Sequence, residues 1–323
     1  MADNDKELMA FLSTEARDPA KPLLRVGGVV GNWRILSLLG GGGFGEVYRV
    51  EHTHVGIVCA LKILKRDTEN ARTRFKREVT FVAGHSCVGV PRFYEVGEFH
   101  GGPYFVMEML TPRELPTTDR EIAVLLKTLC LIVAELHKEG FVHRDIKPAN
   151  ILYRGNGDVV LVDYGLIAKE DKSGGGRVLG NKLTRANVAV GTERFAAPEQ
   201  FSGSPIDCHA DIHALGVLIE TCFHGQLPRR WRRIVCRATS SLPEQRYSSC
   251  NALSRAIAFR FVGEFAVVLL VIVSVALITL AIAFAAQASR LRDGVVPVGS
   301  SANSDNPVKG KNVSDAAEEW LVP

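Results

Sequence analysis

A run of 22 residues, Phe265–Ala286, carries no charged side chain, and only Ser274 and Thr279 interrupt its apolar character. At ~1.5 Å of rise per residue a helix over it would be roughly 33 Å long, enough to cross the hydrocarbon core of a bilayer. A helix of that length buried in a soluble core would keep a polar side, so the run predicts one transmembrane helix over 265–286. It divides the chain. Residues 1–31 mix acidic, basic, Pro and Gly positions with little periodicity and read as a flexible leader. Residues 287–323 are polar and rich in Ser, Asn and Gly, which predicts a short disordered tail. The part between, 32–258, is long enough for one large domain.

Composition excludes some functions for that domain. Charged residues make up 23% of the chain, apolar ones 46%, and the net charge is +4. A normal core can form, and no strong basic stripe of the kind that binds nucleic acid is expected. The seven cysteines form no CxxC pair, and none lies near a histidine at metal-ligand spacing. They read as buried, reduced thiols of a cytosolic compartment. Met1–Ala10 has no apolar core of the signal-peptide kind.

Local pattern predicts a small β-rich unit followed by a helical one. Strand-like runs cover Trp33–Leu39, Val47–Glu51, Ile57–Leu64, Phe93–Phe99 and Tyr104–Met109, with one helix over Glu69–Val82. Thr118 and Glu121 have capping-box spacing, and Ile122, Leu125, Leu126, Leu129, Ile132, Val133 and Leu136 follow at helical spacing up to Gly140. Further helices are expected over Asp211–Cys222 and Arg229–Thr239.

Chemistry-bearing residues are spread along both parts. Gly40, Gly41, Gly42, Gly43, Phe44, Gly45, Glu46 and Val47 lie between two strand candidates. Glycine lets backbone N–H groups approach phosphate oxygens. A dinucleotide fingerprint would lead into a helix and a Walker loop would end in GK[ST]; neither holds here, and alone the motif could be a glycine-rich hairpin. Lys62 sits among apolar strand residues, where a lone lysine is more often an edge position. Glu78 on the first helix could pair with it. Downstream come His143-Arg144-Asp145-Ile146-Lys147-Pro148-Ala149-Asn150, then Asp163-Tyr164-Gly165, then Ala197-Pro198-Glu199.

Matched in this order and spacing, the set resembles the eukaryotic-type serine/threonine protein kinases, and the single span after the catalytic part is most similar to bacterial membrane-anchored members. The resemblance covers nearly all of 32–258. It implies an α+β, two-lobed kinase fold: a small β-rich N-lobe and a helical C-lobe with a shortened late segment, plus the transmembrane helix. It implies ATP and Mg²⁺ as cofactors. The loop Gly40–Val47 would cover the phosphates, and Lys62, held by Glu78, would contact the α and β phosphates. Asn150 and Asp163 would hold magnesium. Asp145 would orient the acceptor hydroxyl and take its proton, and Lys147 would steady the γ-phosphate. Val47, Ala60 and Leu152 would enclose the adenine, with backbone groups of Glu108 and Met109 at its edge behind Met107. Lys147 within this motif is similar to serine/threonine rather than tyrosine kinases.

Two departures stand out. Tyr164 replaces the usual phenylalanine, and a hydroxyl in an apolar stack needs a partner or costs stability. The stretch between Asp211 and Arg246, the latter resembling the arginine that pairs with Glu199, is shorter than usual, so the segment that docks protein substrates is reduced. At its start Arg229, Arg230, Arg232 and Arg233 surround Trp231. This is either a solvated helix start whose tryptophan packs inward or a basic, aromatic patch facing the anionic inner leaflet.

The function expected is ATP-dependent phosphorylation of Ser/Thr hydroxyls on protein substrates in membrane-anchored signalling. The alternative is a membrane-tethered pseudokinase, a scaffold that binds nucleotide without turnover. Partners expected are protein substrates, the lipid bilayer and a second copy, a homodimer in which Thr184 is autophosphorylated; nucleic acid is not expected. The location expected is the cell membrane, single-pass, with the kinase domain cytoplasmic.

Overall fold

The computed structural model describes residues 22–41, 45–65, 68–169, 194–202, 206–259 and 262–293. The chain divides into two compact units after Gly263. The first begins with a six-stranded antiparallel sheet: β1 (Val29–Val30), β2 (Trp33–Gly41), β3 (Gly45–His52), β4 (Val58–Leu64), β5 (Phe93–Phe99) and β6 (Gly102–Glu108), ordered β1-β2-β3-β4-β6-β5. Both faces are covered, so β4 reads as a nearly unbroken apolar strand. Leu61 and Ile63 pack with Trp33, Ile35 and Val50 on one side, while Ala60 and Leu64 pack with Phe75 and Phe105 on the other. Helix α1 (Glu69–Gly84) lies on this second side, and Thr68 caps it by accepting a hydrogen bond from the Ala71 N–H at 3.2 Å.

The sheet reaches further toward the N-terminus than residue 32. Val30 and Leu24 are buried, the Leu23 N–H donates to Glu46 at 2.7 Å, and the Leu24 N–H donates to the Tyr48 hydroxyl at 3.0 Å. This end of the expected leader is therefore ordered by burial of its apolar residues against β3.

The helical lobe is centred on α2 (Asp119–Lys138), capped by Thr118 as its spacing predicts; the Glu121 N–H donates to the threonine hydroxyl. Its apolar stripe packs against α4 (His209–Cys222), α5 (Arg229–Ala238) and α6 (Cys250–Phe259). The short helix α3 (Pro198–Ser202) precedes them. Gly216 on α4 faces α5 so closely that an added Cβ would come within 2.7 Å of Ala238 Cβ. Only glycine allows this crossing. Between α5 and α6 stands a single 3₁₀ turn, Pro243–Gln245, so the late C-lobe is short.

Five short strands serve the region between the lobes: β7 (Thr111–Pro112), β8 (Phe141–Val142), β9 (Ile151–Tyr153), β10 (Val159–Leu161) and β11 (Ala168–Lys169). They form one sheet ordered β10-β9-β7 and a pair β11-β8.

Helix α7 (Val262–Asp293) is the described part of the second unit and also includes the last two residues of the first. Its stretch Leu269–Ser289 is long and apolar enough to cross a membrane, and every side chain in it is exposed. The disordered tail expected over 287–323 begins later than that: residues 287–293 continue the helix, and those beyond Asp293 lie outside the described residues.

Candidate active site

The site is assembled from strand ends and turns. Lys62 occupies the middle of β4, opposite Val47 on β3 and Phe105 on β6. Its side chain reaches α1, where Nζ lies 2.6 and 2.7 Å from the two Glu78 carboxylate oxygens, and Asp163 Oδ1 is 3.6 Å away. Burial works against the charge on Lys62, but Glu78 and Asp163 outweigh it and raise its pKa above the ordinary lysine value. Burial is also the largest influence on Glu78 and pushes its pKa up to about 7, with Lys62 opposing. Gly45 begins β3 beside this pair. A Cβ there would stand 2.8 Å from the Ile63 carbonyl oxygen, so glycine is what lets the loop strand lie against β4.

A second cluster forms on the turn after β8. Lys147 Nζ donates to both Asp145 carboxylate oxygens at 3.1 and 2.8 Å. Asn150 donates its amide to the Asp145 carbonyl at 2.8 Å and carboxylate at 3.0 Å. The turn is held from below by Asp211 on α4. This buried carboxylate accepts from the His143 and Arg144 N–H groups at 2.9 and 2.8 Å and contacts His137 Nε2 at 2.8 Å. Burial raises its pKa, yet these partners more than compensate, and it lies below the usual carboxylate range. Arg144 and Asp163 both adopt left-handed backbone, with φ of 70° and 66°. Such strain in non-glycine residues persists where the surroundings over-determine it, and it concentrates at functional sites.

The two clusters meet through β9 and β10. The Val162 N–H donates to the Asn150 carbonyl at 2.9 Å, which sets Asp163 beside the second cluster. Lys62 above all holds the Asp163 carboxyl below its usual range, with Lys147 assisting against burial. Asp163 and Asn150 thus offer one carboxylate and one amide oxygen, the Asn150 nitrogen being committed to Asp145. Hard oxygen donors of this kind fit magnesium.

Of the expected adenine-side residues, Val47, Ala60 and Met109 belong to one apolar cluster with Met107. Leu152 lies on β9 opposite Val160, outside that cluster. The Glu108 N–H is already donated to the Arg92 carbonyl at 2.9 Å, and its carboxylate binds Arg154 at 2.7 Å. Gly40 and Gly41 end β2. Gly42, Gly43 and Phe44 lie outside the described residues, as does Thr184.

One residue escaped the sequence reading. Arg74 stands one turn before Glu78 on α1. Burial lowers its pKa, and the carboxylates of Asp163 and Asp145 oppose this, which places its charge near both. The i, i+4 spacing from Glu78 was the available signal.

Tyr164 is fully buried, stacked on Phe81 with centroids 4.5 Å apart. Its hydroxyl meets no hydrogen-bond partner among the described residues. Tyr164→Phe is therefore expected to stabilise the protein by about 1 kcal/mol, read as a rise in thermal midpoint of a few degrees. A lower midpoint would mean that the hydroxyl is bonded.

The chain matches the protein kinase domain family over residues 33–248. Among its curated relatives, serine/threonine-protein kinase PknH of Mycobacterium bovis is 27% identical over 272 residues, covering 72% of this chain and 44% of that protein. PknD of Mycobacterium tuberculosis is 31% identical over 217 residues, covering 64% and 32%. The chain therefore spans less than half the length of these relatives. The kinase domain of Mycobacterium tuberculosis PknI shares the fold, with a TM-score of 0.56 at 22% identity over 73% of this chain and 99% of that one. With its motifs folded into one site and the family matched over most of its length, the chain belongs to the protein kinase family, and the curated relatives it resembles are bacterial serine/threonine kinases.

Proposed function

We propose that this protein transfers the γ-phosphoryl group of ATP to serine or threonine hydroxyls of protein substrates from a membrane-anchored position. The observation that carries the reading is the convergence of Lys62, Glu78 and Asp163 with Asp145, Lys147 and Asn150. Catalysis of this kind is mostly positioning and charge stabilisation. Lys62, kept cationic by its two carboxylates, binds the α and β phosphates. Val47, Ala60, Leu152, Glu108 and Met109 hold the base. Asp145 accepts the proton of the acceptor hydroxyl, and Lys147 beside it steadies the transferred group. Asn150 and Asp163 would hold magnesium, which would supply charge neutralisation. No residue of this set is displaced in a way that favours a scaffold without turnover.

Labelled ATP, magnesium and a generic basic protein form the test. Transfer to serine or threonine supports the proposal; nucleotide binding without transfer overturns it.

The kinase domain, 32–258, faces the cytoplasm on this reading, with 265–286 spanning the membrane and the tail outside. Support comes from the need for ATP and from seven cysteines that are all free thiols. Protease added to intact cells would then trim the tail and spare the kinase domain; digestion of the domain would reverse the orientation.

A further inference from the structure

Helix α5 is polarised more strongly than packing requires. Trp231, Ile234, Val235 and Ala238 are buried, while Arg229, Arg230, Arg232, Arg233, Cys236 and Arg237 are exposed. By the 3.6-residue turn the five arginines cover an arc of about 160°, and Cys236 falls within it, between Arg232 and Arg229. Burial of Trp231 decides between the two sequence readings of the tryptophan: its ring belongs to the core and its indole N–H donates to Asp119. The arginines remain as a purely basic face.

That face conflicts with the helix's own electrostatics. Three of the arginines lie in the first turn, where the macrodipole is positive, and no acidic residue of the helix offsets them. Asp119 of α2 reaches only the start, pairing with Arg230 at 2.9 Å. Helix α6, packed against α5, adds exposed Arg255 and no acid. Such a local conflict marks a surface kept for something other than folding.

The chain itself says what lies nearby. Helix α6 ends at Phe259, a residue 64% exposed, and the uncharged apolar run begins at Phe265. Six residues span at most roughly 21 Å even when fully extended. An exposed aromatic next to a span suits the interfacial layer, and an arginine face suits anionic headgroups.

We infer that the exposed face of α5 is a docking surface for anionic lipid, which holds the C-lobe against the leaflet from which the span emerges. This rests on the membrane-span reading above. Each basic side chain near an anionic leaflet strengthens attraction roughly fivefold, so several acting together dominate the position of the lobe.

The test uses the full chain in lipid nanodiscs of phosphatidylcholine alone or with phosphatidylglycerol. Cys236 is the one exposed cysteine of the seven and reports directly from the arginine face. An uncharged, bulky maleimide is added and the gel shift followed, with Cys236→Ser identifying the band. Labelling is expected to be at least about tenfold slower in the anionic discs and to recover in high salt. Arg229→Gln/Arg232→Gln/Arg233→Gln should label equally in both, with a thermal midpoint no lower than that of the wild-type chain. Arg230 and Arg237 are left in place because they hold Asp119 and Tyr247. Equal labelling of the wild-type chain in both discs overturns the inference. Slowing by soluble polyglutamate but not by lipid also overturns it, in favour of an acidic protein partner. Failure of the chain to enter discs at all would instead overturn the span reading and the inference with it.

Discussion

Lys62→Ala, Asp145→Ala and Asp163→Ala are each expected to slow phosphoryl transfer by about 10²–10⁴-fold while leaving the domain folded. The size follows from the charge each group handles as the phosphoryl group moves. Asp145 is held by Lys147 and Asn150, so its removal deletes the proposed proton acceptor without opening a core. Lys62→Ala is the informative case for stability. It leaves Glu78 buried and without its cation, but a carboxyl whose pKa already stands at about 7 can take up a proton. The fold is therefore spared while the site fails. For the same reason wild-type transfer should fall as pH drops through about 7, when Glu78 protonates and releases Lys62. Glu78→Gln should be slow with that limb missing. Initial rates with a basic protein substrate, beside thermal midpoints, read both effects. Asp145→Ala within tenfold of wild type would remove Asp145 from the mechanism.

The part of this site that could be read from the sequence was the part carried by local chemistry. The strands over 33–64, the Thr118 cap and the motif around Asp145 each depend on neighbours in the chain, and each forms as its pattern implies. Glu46 shows what the pattern hides. Nothing in the glycine-rich motif marks its side chain. In the fold it is buried among Lys65, Tyr48 and the Leu23 N–H, where burial raises its pKa and these partners reverse the shift. Its role depends on a leader segment with no periodicity of its own. Arg74 was hidden for a similar reason: a helix position becomes part of the cleft only when Asp163 and Asp145 are brought to it from distant turns. Trp231 was ambiguous because four surrounding charges suggest solvent, while the apolar residues at 234, 235 and 238 decide its face.

Glu199→Ala is expected to cost about 3–5 kcal/mol, the largest stability loss of any single change proposed for this chain. Arg246 has no exposed side-chain surface. Its guanidinium donates to both Glu199 oxygens at 2.6 and 2.9 Å, to the Ser240 carbonyl at 2.8 Å and to the His209 carbonyl at 2.9 Å. The contrast with Lys62 and Glu78 is chemical. A carboxyl left alone can neutralise itself, whereas arginine stays protonated in any protein environment. Removing Glu199 thus strands a permanent cation among buried groups, between α3 and the 3₁₀ turn before α6. Thermal unfolding of the detergent-solubilised chain should show a midpoint lower by roughly 10 °C. The double variant Glu199→Leu/Arg246→Met, which removes both charges and keeps volume, should be less destabilised than Glu199→Ala alone. If the double variant instead lost as much as the two single changes added together, the guanidinium would not be stranded, and the cost would lie in packing.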